Sequence, residues 1–248
     1  MDLKTFFTEN PSVALAFSGG TDSSYLLYAG LAYGAKIRAY YVKTAFQPQF
    51  EYDDAMRLAE QLGADLRVIH KDVLSNETVA ANPQNRCYYC KTEIFTTLRQ
   101  AAAEDGYSVL IDGTNASDEA GDRPGMLALQ ELSVRSPLRE CGITKADVRA
   151  LSKEAGLFTW NKPSYACLAT RIPAGTPITV EILEQVEHAE DCLFQLGFTD
   201  FRIRVFHGAA RIQLPADQME AAISKREELL HALEPYFEQI VLDLKARG

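Results

Sequence analysis

No apolar run in this chain of 248 residues approaches the about 20 residues that a membrane-spanning helix needs. The start, Met1-Asp2-Leu3-Lys4, leads into no signal-peptide core, so a cytoplasmic location is expected. Basic charge is in deficit: 25 Lys and Arg against 34 Asp and Glu give a formal net charge of −9. A general nucleic-acid binder usually carries a basic face, so RNA or DNA is not the expected partner. Histidine is scarce, and His70, His188, His207 and His231 fall in no motif. The five cysteines, an odd number, make no disulfide framework and point instead to metal or redox chemistry. Internal repeats and low-complexity segments are absent, and so is the Walker A spacing with its lysine.

What is present is concentrated in residues 13–24, Val-Ala-Leu-Ala-Phe-Ser-Gly-Gly-Thr-Asp-Ser-Ser. The apolar run Val13–Phe17 reads as a buried strand, and a helical pattern resumes at Tyr25, Leu26, Leu27 and Ala29. Between them Gly19 and Gly20 permit a tight turn and close backbone approach to an anion. The amides and dipole of the following helix start then make a phosphate site. Asp22 is placed to hold Mg²⁺ against phosphate oxygens, and the hydroxyls of Ser18, Ser23 and Ser24 can add hydrogen bonds. An ordinary serine-capped Gly-Gly turn would not require the aspartate and the buried strand together. The order S-G-G-x-D-S after a strand resembles the PP-loop of ATP pyrophosphatases, which split ATP between the α- and β-phosphates.

Strands are expected at 13–17, 37–42, 66–70 and 108–112, with helices at about 22–33, 51–62 and 91–105. Such alternation predicts an α/β fold, a parallel sheet with helices on both faces, with ligands at the carboxyl ends of the strands. The breaker-rich Pro173-Ala174-Gly175-Thr176-Pro177 marks a boundary between a first domain, 1–175, and a second, 176–248. The second reads as a small α+β unit of order αββαβ: helix 179–196, strands 200–206 and 210–214, helix 216–233 and strand 238–243. It is too small for an ample core, so it should dock on something, such as another copy.

Cys87 and Cys90 stand in Asn85-Arg86-Cys-Tyr-Tyr-Cys-Lys91, a spacing that turns both thiolates to one metal or makes a redox pair. A second C-x-x-C and a His pair at zinc spacing are missing. The third candidate is Cys167, in Pro163-Ser-Tyr-Ala-Cys-Leu-Ala-Thr-Arg-Ile-Pro173; alone it reads equally as a small core residue. Three thiolates suit a [4Fe–4S] cluster with one iron left open. Cys141 and Cys192 read as core or incidental. The turn Asp112-Gly113-Thr114-Asn115 follows a strand directly and puts small and polar groups at the sheet edge of the first loop. Beyond it Asp118, Glu119 and Asp122 are a metal-ligand or simply a solvated cluster. Arg123 and Arg171 are cations near the expected phosphate site. Arg202 and Arg204 alternate along a strand and share a face, for a second phosphate or for exposed ion pairs.

With these segments in hand, the chain resembles the LarE family of PP-loop sulfur transferases over nearly its whole length, including the strand Arg202-Ile-Arg-Val-Phe-His207. The resemblance implies adenylylation by ATP and Mg²⁺ of the carboxylates of pyridinium-3,5-biscarboxylic acid mononucleotide, for the nickel-pincer nucleotide cofactor, followed by displacement of AMP by sulfur. One branch of the family sacrifices a single cysteine; another holds a [4Fe–4S] cluster on three and passes on added sulfide. Possession of Cys87, Cys90 and Cys167 resembles the cluster branch. By the same resemblance Ser18, Gly19, Gly20, Asp22, Ser23 and Gly113 hold pyrophosphate and Mg²⁺, and Arg171 faces the substrate or AMP phosphate. Arg202 and Arg204 match positions that contact phosphate between subunits, and a homo-oligomer, a trimer-based hexamer, follows. The family's Gly- and Arg-containing tail after Asp-Leu is replaced by Lys245-Ala-Arg-Gly248 after Asp243-Leu244. A cluster-dependent tRNA thiolase would need a basic surface and often extra zinc-binding domains. An amide-forming synthetase would leave the C-x-x-C pair unexplained, and a non-enzymatic nucleotide-binding or iron–sulfur module predicts no pyrophosphate release.

Overall fold

Alternation along the first strand organises the larger part of the molecule. In the computed structural model, which describes residues 1–118 and 124–247, the chain divides into two compact units. These are Met1–Val73 with Asn85–Lys162, and Leu74–Gln84 with Pro163–Gly248. In chain order the first unit contains α1 (Leu3–Glu9), β1 (Ser12–Ala16), α2 (Thr21–Ala32), β2 (Lys36–Lys43), α3 (Gln49–Leu62) and β3 (Asp65–His70). After α4 (Glu77–Ala80), which lies in the second unit, it resumes with α5 (Arg86–Glu104), β4 (Leu110–Ile111), α6 (Pro124–Glu131), α7 (Pro137–Glu140) and α8 (Lys145–Glu154).

The four strands form one parallel sheet in the order β3-β2-β1-β4. Val13 and Leu15 of β1, with Ile37, Ala39 and Tyr41 of β2, face one core with residues of α1, α2, α3, α7 and α8. Ala14, Tyr40 and Val42 face the other, with Phe95, Leu98, Ala101 and Ala102 of α5 and Leu129 of α6. A period of two on strands buried on both sides explains why they read as continuous apolar runs. The sheet with helices on both faces is the α/β fold expected from the sequence. β4 is shorter than the strand expected at 108–112, and on its outer side Ile111 makes a parallel bridge with Arg135, with Arg135 N donating to Leu110 O at 3.0 Å and Asp112 N to Arg135 O at 2.9 Å.

The second unit contains α4, α9 (Val180–Gln195), β5 (Arg202–Phe206), β6 (Ala209–Gln213), α10 (Met219–Ser224), α11 (Arg226–Leu233) and β7 (Ile240–Leu242). β5 and β6 form an antiparallel hairpin, and β7 adds parallel to β6. His207 and Gly208 both have positive φ, 51° and 84°, which is the two-residue turn whose twist matches a hairpin. The helix expected at 216–233 is broken at Lys225, whose ψ of 21° ends α10. Segment 74–84 is tied to this unit by backbone: Gly175 N donates to Asn82 O at 2.8 Å and Ile178 N to Ala80 O at 2.7 Å. Among the described residues no helix is long and apolar enough to cross a membrane.

Candidate active site

Two loops at the carboxyl edge of the sheet, after β1 and after β4, come together in the first unit. The first joins β1 to α2 and is closed by its own hydroxyls: Ser18 N donates to Ser23 Oγ at 3.3 Å, the two serine Oγ atoms are 3.1 Å apart, and Gly20 N reaches Ser18 Oγ at 3.4 Å. Gly19 has φ +71°, and a Cβ there would stand 2.8 Å from Ala55 Cβ of α3, so both conformation and packing require glycine. Gly20 caps α2 without any side-chain bond, and the first i→i−4 bond of the helix is Ser24 N to Gly20 O at 3.0 Å. Backbone amides of the first turn therefore point beyond the helix, as an anion site requires.

The loop after β4 closes on the same turn. A Cβ on Gly113 would lie 2.8 Å from Ser23 N, so glycine lets these two segments touch. Asp112 is buried and takes Thr114 Oγ1 at 2.6 Å and Ser136 Oγ at 2.7 Å, which fixes the turn. Asn115, also buried, donates Nδ2 to Asp22 Oδ1 at 3.2 Å. The other oxygen, Asp22 Oδ2, takes Lys145 Nζ at 2.5 Å from the head of α8. Ser18, Gly19, Gly20, Asp22, Ser23 and Gly113 are thus gathered in one place, joined by Asn115 of the polar turn expected at this edge and by Lys145, which sequence reasoning missed. Asp118 accepts Asn115 N on its carboxylate at 2.9 Å and so shapes this loop. Glu119, Asp122 and Arg123 lie outside the described residues.

Cys87 and Cys90 lie in the first turns of α5, three residues apart and hence on neighbouring positions of one face. Cys87 is exposed with Arg86 Nη2 3.6 Å from its sulfur, and Cys90 is buried. Cys141 and Cys192 are half-buried, and burial pushes both thiols up. Within each unit, among the described residues, no three His, Cys, Asp or Glu side chains are gathered to hold a metal ion.

In the second unit Cys167 precedes the short 3-10 turn Leu168–Arg171. Arg171 is fully buried against Glu190 of α9, with Nε to Oε1 at 2.9 Å and Nη2 to Oε2 at 3.1 Å. Burial pulls its pKa down, but the bond and charge of Glu190 more than offset that and raise it. Tyr165 donates its hydroxyl to Glu190 Oε2 and is pushed up, first by burial and then by that charge. Arg202 donates to Ser164 O at 2.6 Å and Arg204 to Thr170 O at 2.5 Å, both acceptors being neutral carbonyls. Burial, and after it the Arg171 charge, holds Arg202 down at about 10 and lowers Arg204. Glu190 is the buried carboxylate here, and the partly exposed Asp200 lies 3.8 Å from Arg202 Nη1, so the three guanidiniums meet one buried and one partly exposed carboxylate. Glu190 was visible in the sequence as an acid on the apolar face of Leu183, Val186 and Leu193, but was not read as a site residue.

No protein-family model matches the chain. It is 35% identical over 235 residues to the pyridinium-3,5-bisthiocarboxylic acid mononucleotide synthase of Lactiplantibacillus plantarum, covering 94% of this chain and 85% of that one. An uncharacterised protein of Synechocystis sp. is 37% identical over 250 residues, covering 98% and 92%. A tRNA-specific 2-thiouridylase of Clostridium botulinum is 27% identical over 183 residues, 61% of this chain and 52% of its own length. Parallel sheet, Ser-Gly-Gly loop and these relatives define an ATP-using sulfur transferase of the PP-loop class. Within that class the chain belongs to the LarE family.

Proposed function

We propose that this enzyme adenylylates the carboxylates of pyridinium-3,5-biscarboxylic acid mononucleotide with ATP and converts them to thiocarboxylates in nickel-pincer nucleotide biosynthesis. The observation that carries this reading is the loop at the head of α2, with its uncapped amides beside Asp22, in a chain similar along 94% of its length to the L. plantarum synthase. A carboxylate is a poor electrophile. Its oxygen attacks the α-phosphorus of ATP, and the electrons of the broken P–O bond leave on pyrophosphate. A sulfur nucleophile then displaces AMP, and holding both partners together replaces a bimolecular encounter.

The residues present fit nucleotide and Mg²⁺: Gly19, Gly20, Ser18 and Ser23 would cradle phosphates, Gly113 brings the second loop close, and Asp22 would ligate the cation. Thiol donors fit iron, and we assign Cys87, Cys90 and Cys167 to one [4Fe–4S] cluster, which supplies sulfide to the reaction when bound. Arg202 and Arg204, held on neutral carbonyls, suit the substrate phosphate, and Arg171 orients that segment through Glu190. The enzyme acts in the cytoplasm as a homo-oligomer, built through the small second unit, with inorganic sulfide as co-substrate. Anaerobic reconstitution, with iron and sulfide counted and Mössbauer spectra recorded, tests the cluster. A cubane in the wild type that is lost in Cys87→Ala, Cys90→Ala and Cys167→Ala supports it. A wild type without cluster, or one indifferent to Cys167, removes it and leaves Cys167 as a sacrificial sulfur donor.

A further inference from the structure

Residues 158–162, a 3-10 turn and the lysine after it, are bonded to three helices of the first unit, and each of those helices also reaches the nucleotide loop or the helix turn that ends it. From α2, Thr21 Oγ1 donates to Thr159 O at 2.9 Å, and Thr21 is buried, so its hydroxyl is spent on this contact rather than on the loop. From α8, Arg149 donates Nη1 to Trp160 O at 3.0 Å and Nη2 to Lys162 O at 3.1 Å. Lys145, one helical turn earlier on the same face, carries the Asp22 bond described above. From α3, Glu51 Oε1 and Asp54 Oδ2 lie 3.2 and 2.8 Å from Lys162 Nζ, while Ala55 lies against Gly19. The Lys162 side chain is 11% exposed. An ion pair so buried adds little net stability, and its contribution is a fixed position. Lys162 is extended, with φ −62° and ψ 127°, as a following proline favours, and that proline, Pro163, begins the second unit. Cys167 follows four residues later.

We propose that residues 158–162 are a strap that couples the nucleotide loop to the Cys167 segment, with Thr21 and Arg149 as its positioning residues. This rests on the ATP-using reading above. Triphosphate bound at the amino end of α2 displaces the helix turn whose amides receive it, and Thr21, in that turn, carries Thr159 with it. Arg149 holds the carbonyls of Trp160 and Lys162 on one rigid guanidinium, so the strap moves as a piece instead of bending. Its far end is the covalent start of the segment that bears Cys167. Sulfur delivered at Cys167, whether its own or that of a cluster it ligates, has to reach an acyl-adenylate, and Cys167 is half-buried. The sense of the coupling is therefore exposure. Nucleotide frees Cys167 from its packing, and sulfur stays out of reach until an adenylate can form.

The test reads the Cys167 thiol itself. Full-length protein, reduced and chelated so that its thiols are free, is treated with iodoacetamide with and without Mg²⁺ and α,β-methylene-ATP, which cannot be split at the reacting bond. Modification of each cysteine is followed by mass spectrometry, and binding of the analogue by calorimetry. In the wild type the analogue should speed alkylation of Cys167 about fivefold or more, an ordinary coupling between sites, and leave Cys192 of the same unit unchanged. A ligand that merely covered the sulfur would slow it. Thr21→Val, which keeps the shape and loses the donor, and Arg149→Met should bind the analogue with the acceleration lost. A strap that only holds the fold predicts a lower melting temperature in both variants with the acceleration intact, and that result overturns the proposal. If one variant fails to fold or to bind the analogue, the other decides; if both do, Lys162→Met, which frees the strap from α3 alone, decides. A wild type that binds no analogue overturns ATP use and this coupling together. Wild-type binding with Cys167 slowed or unaffected overturns the coupling alone.

Discussion

Gly19 and Gly34 separate two reasons for a glycine. Both have positive φ, +71° and +77°, but only Gly19 faces a neighbour, Ala55, while nothing lies within 4 Å of a Cβ on Gly34. Gly34→Ala should therefore cost about 1 kcal/mol, the strain of a left-handed backbone alone. Gly19→Ala adds a clash with α3 and should cost roughly 2–4 kcal/mol in urea unfolding, together with loss of nucleotide binding. The buried pair of Arg171 and Glu190 makes a larger claim. Glu190 also accepts Ile203 N at 2.9 Å, so it joins α9, β5 and the Cys167 segment. Glu190→Gln leaves the Arg171 charge buried without its counter-charge, and about 3–5 kcal/mol of stability should be lost in denaturant titration. These single-residue demands are why the Ser-Gly-Gly loop was legible in the sequence: turn, cap and close approach each restrict residue type locally. Asn115 was legible only as part of a polar turn at the same sheet edge, and Lys145 not at all, because their partner Asp22 is 93 and 123 positions away and no local rule links them.

At the scale of elements, the end of α5 is fastened to the sheet by charge. Asp105, which caps α5, takes Tyr40 Oη at 2.7 Å from β2, Arg67 Nη1 at 2.9 Å from β3 and Arg38 Nη1 at 2.9 Å. The Tyr40 hydroxyl first, and Arg67 after it, hold this carboxyl at about 2, below its usual 3.8. Because the folded value lies below the unfolded one, the contribution is complete above the unfolded value and is lost as pH falls from there toward 2. Asp105→Asn should accordingly flatten the stability profile in that acid window and leave its shape at neutral pH unchanged, as melting temperatures against pH will show. Long elements were readable because α3 and α5 carry apolar residues at helical period and β1 and β2 are unbroken apolar runs. α1 and α8 went unread although Asp2 and Thr144 cap them, since short helices give periodicity little room. β4 keeps only two residues, as the chain after Ile111 turns to build the site.

On the scale of the whole molecule, the residues proposed for function are spread along the chain. The nucleotide loops, Cys87 and Cys90 belong to the first unit, while Cys167, Arg171, Arg202 and Arg204 belong to the second. The boundary expected between 175 and 176 came from a real cluster of turn residues, yet backbone bonds at Gly175 and Ile178 tie that cluster to segment 74–84, and the second unit begins at Pro163. A boundary of this kind is set by pairing across about 90 positions, which composition does not record. The central claim is that a carboxylate is activated at the first unit's loop and leaves as a thiocarboxylate. The most direct test incubates the anaerobically reconstituted protein with ATP, Mg²⁺, sulfide and pyridinium-3,5-biscarboxylic acid mononucleotide, and follows the mononucleotide by mass spectrometry beside AMP and pyrophosphate. The account predicts exchange of one oxygen for sulfur at each carboxylate, with one AMP and one pyrophosphate per sulfur and none without the mononucleotide. Pyrophosphate release without sulfur incorporation, or no dependence on the mononucleotide, would contradict it.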